Sequence, residues 1–293
     1  MNADNGGSTV PRRQLGRKLR ELREAVPLTV VQAIAALEWS KPRLWRYETG
    51  QVPIHPNDVD VMCRIYGADA ELTESLKALS RETRSRGWWH AYSEIPEWFQ
   101  LFLGMEAAAH RVRQYEAEII PGLLQSLPYA RAILGQSVTT PTGDQIEQQS
   151  RVRMQRQRIL TRSAPRSPML DVILSEAALL RGFDRVTMVD QLTALLTLAE
   201  RPNVAIRIAP LSAGSHKAYA GPFVILDFPR ESPARDPEPT TVYVELPTGA
   251  LYLDKASEVA AYEAIWLDLA DRVALDEAES RRLIEQRVEE WSR

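Results

Sequence analysis

Leu28 to Gly50, LTVVQAIAALEWSKPRLWRYETG, is the stretch whose reading decides the N-terminal fold. It reads as two short helices joined by a tight turn. Thr29 stands where its hydroxyl accepts a hydrogen bond from an otherwise orphan N–H and so caps the first helix. Val31, Ile34, Ala35 and Leu37 follow at the three-to-four-residue spacing of one buried helix face. Ser40 is a second cap, and Pro42 falls in the first turn, where its missing N–H costs nothing. Leu44 and Tyr47 lie three apart on the inner face of the second helix. Gly50, with Pro53 soon after, supplies the stop.

What the second helix leaves outside gives the hairpin its meaning. Lys41, Arg43 and Arg46 project opposite Leu44 and Tyr47, with Trp45 beside them and Glu48 the one acid nearby. A helix N-terminus with several cations suits a groove lined by phosphates. In a helix-turn-helix such a second helix enters the DNA major groove, its first residues at base edges. A surface hairpin with a solvated basic face is the plainer alternative. Charge favours the first reading. Arg12 to Gly50 holds nine Lys/Arg against four acids, a net +5, so the rest of a chain of net charge −3 carries −8. A basic module on an acidic body is the layout of a DNA-binding head.

Outward from the hairpin, residues 1–11 are Gly/Ser/Asn-rich and expected to form a disordered tail. Arg12–Ala25 is a helix with Leu15, Leu19 and Leu22 in a stripe, and Arg12, Arg13 and Arg17 are placed to reach the phosphate backbone. Helices are expected from Asn57 or Asp58 to Tyr66 and from Leu72 to Arg86. Residues 12–86 thus form an all-α, five-helix head. The remainder, 87–293, begins with Trp88, Trp89, Trp98 and Phe99, aromatics too costly to leave in water. They form either a core at the domain junction or, with Tyr115, His216 and Tyr252, a ligand or partner pocket. Helices are expected at Leu103–Gln114, Leu123–Leu134 and Gly143–Arg162, the last an amphipathic helix with its arginines outward. From Met169 the pattern alternates. Strands at 169–174, 204–209, 223–228, 241–246 and 250–253 intersperse with helices, ending in helices over 256–273 and 276–291. The C-terminal domain is therefore mixed α/β (α+β).

No catalytic constellation emerges. His55, His90, His110 and His216 lack metal-ligand spacing, Cys63 is the only cysteine, and neither a phosphate-binding glycine loop nor a G-x-S-x-G elbow occurs. Ser212–Lys217 combines small residues, a hydroxyl, His and Lys. It could hold an anion or serve as an ordinary turn. The expectation is a non-enzyme without cofactor or metal; the alternative is an enzyme of unknown reaction with an autoregulatory head. No apolar run is long enough to span a bilayer, and MNADNGGSTVP lacks a signal-peptide layout, so a cytoplasmic protein is expected.

SKPRLWRYETG resembles the recognition helix of the xenobiotic-response-element (Cro/phage repressor-like) helix-turn-helix family. Val30 replaces the Gln that often follows the helix-2 Thr, and Glu38 replaces the usual turn Gly. Arg86-Gly-Trp-Trp-His-Ala-Tyr92, Tyr115…Ile120-Pro-Gly-Leu-Leu-Gln125, Tyr129-Ala-Arg131, Arg201-Pro-Asn-Val204, Ala213-Gly214…Gly221-Pro-Phe223 and Thr248-Gly-Ala-Leu-Tyr-Leu253 are similar to the C-terminal domain of a large actinobacterial regulator group, an Scr1-type antitoxin-like domain (DUF5753). The resemblance implies a transcriptional regulator that binds double-stranded DNA as a homodimer. It implies contacts from Thr29, Ser40, Lys41, Pro42, Arg43, Trp45 and Arg46, and a small partner protein encoded nearby or a small-molecule signal.

Overall fold

The computed structural model describes residues 10–82, 95, 97–136, 141–229, 238–247 and 249–293. The chain divides into two units, Met1–Ala108 and Ala109–Arg293, so the division falls 22 residues beyond the expected Arg86 boundary.

In the first unit α1 (Val10–Ala25), α2 (Val30–Leu37), α3 (Lys41–Glu48), α4 (Pro56–Tyr66) and α5 (Ala70–Glu82) surround one apolar core. Leu15 and Leu19 of α1, Leu44 of α3, and Val59, Met62 and Tyr66 of α4 are almost wholly excluded from water. α1 starts at Val10, so the last two residues of the expected tail are helical; residues 1–9 lie outside the described part. The buried stripe of α2 is Ala33 and Leu37 flanked by Val30 and Ile34. Val31 is 71% exposed and Ala35 also faces solvent, which corrects the expected face. The cap at Thr29 starts the helix at Val30, and the 30-33-34-37 row is the one that meets the core. α6 (Glu97–Ala108) closes the unit, with Leu101, Phe102 and Met105 buried.

The second unit is built on a six-stranded mixed sheet of order β3-β2-β1-β4-β5-β6. Its strands are β1 (Arg111–Glu116), β2 (Met169–Ser175), β3 (Val204–Ala209), β4 (Phe223–Asp227), β5 (Thr241–Leu246) and β6 (Gly249–Leu253). β1, β2 and β3 run parallel, linked through α7 (Leu127–Gly135) and α8 (Gly143–Arg156), then α9 (Ala177–Leu180) and α10 (Arg185–Leu198). β4, β5 and β6 continue from β1 antiparallel. On one face Tyr115, Ile173, Phe223, Ile225 and Val242 pack against Trp266 of α11 (Ala256–Asp268) and Leu269 and Val273 of the π-helical turn after it. α12 (Glu277–Ser292) is fastened by Ser280, whose Oγ accepts from Ile208 N at 2.9 Å, and by Trp291, whose Nε1 donates to Leu179 O at 3.0 Å.

β1 corrects the helix expected over 103–114. The helix ends at Ala108 and the chain enters the middle of the sheet. Arg113 disguises that strand, since a buried central strand is expected to be apolar. Its guanidinium is compensated by Asp227 at 3.0 Å and Glu263 at 3.3 Å. α8 also differs from expectation: it stops at Arg156 and continues as a 3₁₀ turn to Leu160, and Arg156 is buried rather than outward.

Candidate nucleic-acid interface

The α2–α3 hairpin is defined by its ends. Thr29 Oγ1 accepts from Gln32 N at 3.3 Å while Gln32 Oε1 accepts from Thr29 N at 2.9 Å, a reciprocal capping box. Ser40 Oγ accepts from Arg43 N at 3.4 Å and Pro42 occupies the first turn of α3. Neither helix has an acid in its first turn, so both positive dipole ends stand uncompensated. Between them Glu38 is left-handed (φ 55, ψ 37), and Trp39 N donates to Ile34 O at 2.9 Å. This is a Schellman ending, whose left-handed position usually goes to glycine.

Lys41, Pro42, Trp45 and Arg46 lie on α3; Lys41 and Trp45 are exposed, and Trp45 keeps 54% of its surface in solvent. Packing on α4 would have covered it. Arg43 is held differently. Its Nη2 donates to Asp58 Oδ2 at 3.0 Å, beside the hydroxyl of Tyr47, which donates to the same oxygen at 3.1 Å. Its guanidinium carbon also lies 4.2 Å from the centre of the Trp39 ring. Asp58, contributed by the next helix, is thus an acid near the α3 cations that sequence spacing did not reveal. Glu48, the acid expected to offset them, instead binds Arg23 of α1 through both oxygens at 2.6 and 3.0 Å, with both side chains nearly excluded from water.

Other cations of α1 are also engaged. Lys18 pairs with Glu21 and Arg20 with Glu24. Arg12 and Arg13, expected on the phosphate-facing side, are 7% and 5% exposed; Arg12 donates to Gln51 O and Arg13 to the sulfur of Met105. α1 comes too close to α3 for these side chains to lie between the helices and solvent. A Cβ on Gly16 would stand 2.4 Å from Tyr47 O. Arg17 is half-buried on the same helix.

The described residues of the expected pocket are divided between the two units. Trp88 and Trp89, and the side chain of Trp98, lie outside the described residues. Phe99 belongs to the first unit and stacks on Phe102, ring centres 5.7 Å apart. Tyr115 and His216 do meet in the second unit, Oη to Nε2 at 3.4 Å. Tyr252 lies three strands away against Tyr243, ring centres 5.3 Å apart. The Ser212–Lys217 loop is tied down: Lys217 N donates to Asp268 Oδ2 at 3.0 Å, and Arg272 holds Ser215 O. The residues that sequence reasoning missed are Asp58 and a polar group around Glu116 and Arg153. The one sequence signal for the second group was two arginines, Arg153 and Arg156, one and four residues after a buried Val152.

Two family models match the chain. The one described as Domain of unknown function (DUF5753) covers residues 99–286, and the one described as Helix-turn-helix domain covers residues 14–76. No curated protein and no solved structure matches it. Among the described residues no helix is long and apolar enough to cross a membrane.

Proposed function

We infer that this chain, which belongs to the DUF5753 family, is a sequence-specific DNA-binding transcriptional regulator whose head reads the major groove as a homodimer and whose C-terminal domain receives a signal. One observation carries it. On a helix-turn-helix domain, α3 opens on an acid-free N-terminus with Lys41 in its first turn, and Trp45 and Arg46 are exposed one turn further along. Lys41 and the N-termini of α2 and α3 meet phosphates, while Arg46 and Trp45 face base edges and thymine methyls. Arg43 orients α3 through Asp58 and adds its charge to those of Lys41 and Arg46.

The finer reading follows from the resemblance of the body to actinobacterial antitoxin-like regulators. The protein works in the cytoplasm, has no catalytic activity of its own, and answers to a small molecule or to a small protein encoded nearby. Two heads on one site are needed because a single short helix buries little groove surface.

Genome-wide binding of the tagged protein, followed by salt-titrated anisotropy on the strongest site, tests this reading. Three cations per head, Lys41, Arg43 and Arg17, make about six phosphate contacts in a dimer, and a log–log salt slope of about −5. A palindromic site bound with that slope supports the dimeric regulator. A slope of about −3 on a single half-site overturns the dimer, and sequence-blind binding overturns the regulator.

A further inference from the structure

The second unit has a concentration of polar groups that neither the head nor the core uses. It lies on the face of the sheet opposite α11, where Gln114, Val224, Tyr243 and Tyr252 stand in one lateral row across β1, β4, β5 and β6. Glu116, the last residue of β1, and Glu245 of β5 stand one step further along on the same face. β1 is also where the connections reverse. From β1 the chain goes to β2 and β3 on one side, and then crosses to β4 on the other. The crevice outside the carboxyl end of such a strand is where ligands of open α/β sheets bind.

Side chains of the crossover stand beside the end of this row, where Arg156 acts on Glu116 and Arg153 on Glu245. Gln114 Nε2 donates to Glu116 Oε1 at 2.9 Å, and the hydroxyl of Tyr243 donates to Glu245 Oε2 at 3.1 Å. The guanidinium of Arg156 lies against Gly122, where a Cβ would come within 3.0 Å of its Nη1. Arg153 donates to Gln125 Oε1, a neutral amide itself held by its Nε2 on Ile120 O at 2.7 Å. Among the described residues no carboxylate lies within ion-pair distance of Arg153. Glu116 and Arg153 each keep some solvent contact, yet burial pushes the Glu116 carboxyl up to about 7 and the Arg153 guanidinium down to about 10. Glu116 and Arg153 are thus both wetted and desolvated, and their charges are felt by Arg156 and Glu245 beside them. A guanidinium held there without an anion is costly unless something arrives to pair with it.

We propose that this crevice binds a small zwitterion of amino-acid type, its carboxylate on Arg153 and Arg156, its ammonium on Glu116 and Glu245, and its side chain against the Tyr243–Tyr252 pair. Both signs of charge are needed because the site presents both, and a simple anion would leave the two carboxylates facing each other. The proposal rests on the reading that the C-terminal domain receives a signal, and names the chemistry of that signal.

Calorimetric titration of the full chain without DNA tests it, the probes being the twenty L-amino acids, with inorganic phosphate and ethylamine as single-charge controls. Saturable binding of at least one amino acid is expected, weakened about ten- to hundredfold in both R153Q and E116Q because each removes a charge-assisted contact. R153K, which keeps the charge, should retain more affinity than R153Q, and melts of the unliganded variants establish that they fold. No binding by any amino acid, binding of phosphate alone with equal strength, or binding indifferent to R153Q overturns the proposal. Because the readout needs no DNA, these failures leave the DNA-binding reading standing, and loss of DNA binding leaves this one standing.

Discussion

Arg43 and Arg46 are three residues apart on one helix and have different work. Arg43 spends its guanidinium on Asp58 and on the faces of Trp39 and Tyr47, ring contacts at 4.2 and 5.5 Å. Its side chain is 40% exposed, so the ion pair is worth well under about 1 kcal/mol and the cation–π contacts add about 1 kcal/mol. Arg43→Ala is therefore expected to cost the head about 1–2 kcal/mol in urea unfolding and to weaken all DNA sequences alike. Arg46→Ala should leave the urea midpoint where it is, cost about 1–3 kcal/mol on the preferred site and relax base preference there. Anisotropy on that site and on single-base variants separates the two; a changed base preference in Arg43→Ala would reverse the assignment. Glu38 allows a second test. An L-residue in the left-handed region costs about 1–2 kcal/mol, part of which glycine returns as unfolded-chain entropy. Glu38→Gly should raise the head's stability by about 0.5–1 kcal/mol without altering DNA affinity, and a lower melting temperature would show that the Glu38 side chain contributes something the backbone does not reveal.

At the scale of elements, the head is held by how α1 seats on α3. Gly16 lets the helices touch at backbone distance, and the Arg23–Glu48 pair joins them beside that contact. A buried pair gives little net stability over apolar residues but is expensive to break by halves. Glu48→Ala should cost about 3 kcal/mol, with Glu24, 3.4 Å from Arg23, softening the loss; a loss below about 1 kcal/mol by urea unfolding would mean that the pair is solvated in solution. These elements differ in how legible they were. The hairpin announces itself because caps, a Pro and a stopping Gly are local chemistry, and every one of Thr29, Ser40, Pro42 and Gly50 does what its side chain or backbone suggests. The strand at β3 declares itself by alternation, and those at β2 and β5 by short runs rich in aliphatic or β-branched residues. β1 does not, because Arg113 and Gln114 are polar and their partners Asp227, Glu263 and Glu116 come from contacts that spacing cannot foresee. For the same reason the sequence marked Arg12 and Arg13 as surface cations, and marked Arg153 and Arg156 as a solvated face.

Over the whole molecule the net +5 of residues 12–50 already counts the acids of the Lys18–Glu21, Arg20–Glu24 and Arg23–Glu48 pairs, while Asp58, on Arg43, offsets one charge from outside that stretch; the body holds the less conventional charges. Two of its groups shift in opposite directions and so act in separate pH windows. Burial, strengthened by the nearby Glu245, raises Glu116 from 4.5 to about 7, so the folded domain binds a proton more tightly than the unfolded chain does. That contribution is intact below about pH 4.5 and declines as pH rises to about 7, beyond which it is constant. Asp268 moves the other way. The guanidinium of Arg272, with the N–H of Lys217, holds it down at about 2, so its contribution is present above the usual 3.8 and disappears as pH falls toward 2. The Glu116 contribution is isolated by comparing wild type with Glu116→Gln, in which other titrations cancel. At about pH 8 the amide should stabilise the C-terminal transition, by at most about 3 kcal/mol, because it removes the cost of a buried charge. At pH 4.5 the two proteins should melt within about a degree of each other, a small shift by the usual scaling of stability to melting temperature. An amide that instead destabilises the domain at about pH 8, by an amount that fades toward acid, would place Glu116 in a stabilising ion pair with Arg156, and the crevice at the end of β1 would then be closed by its own charges.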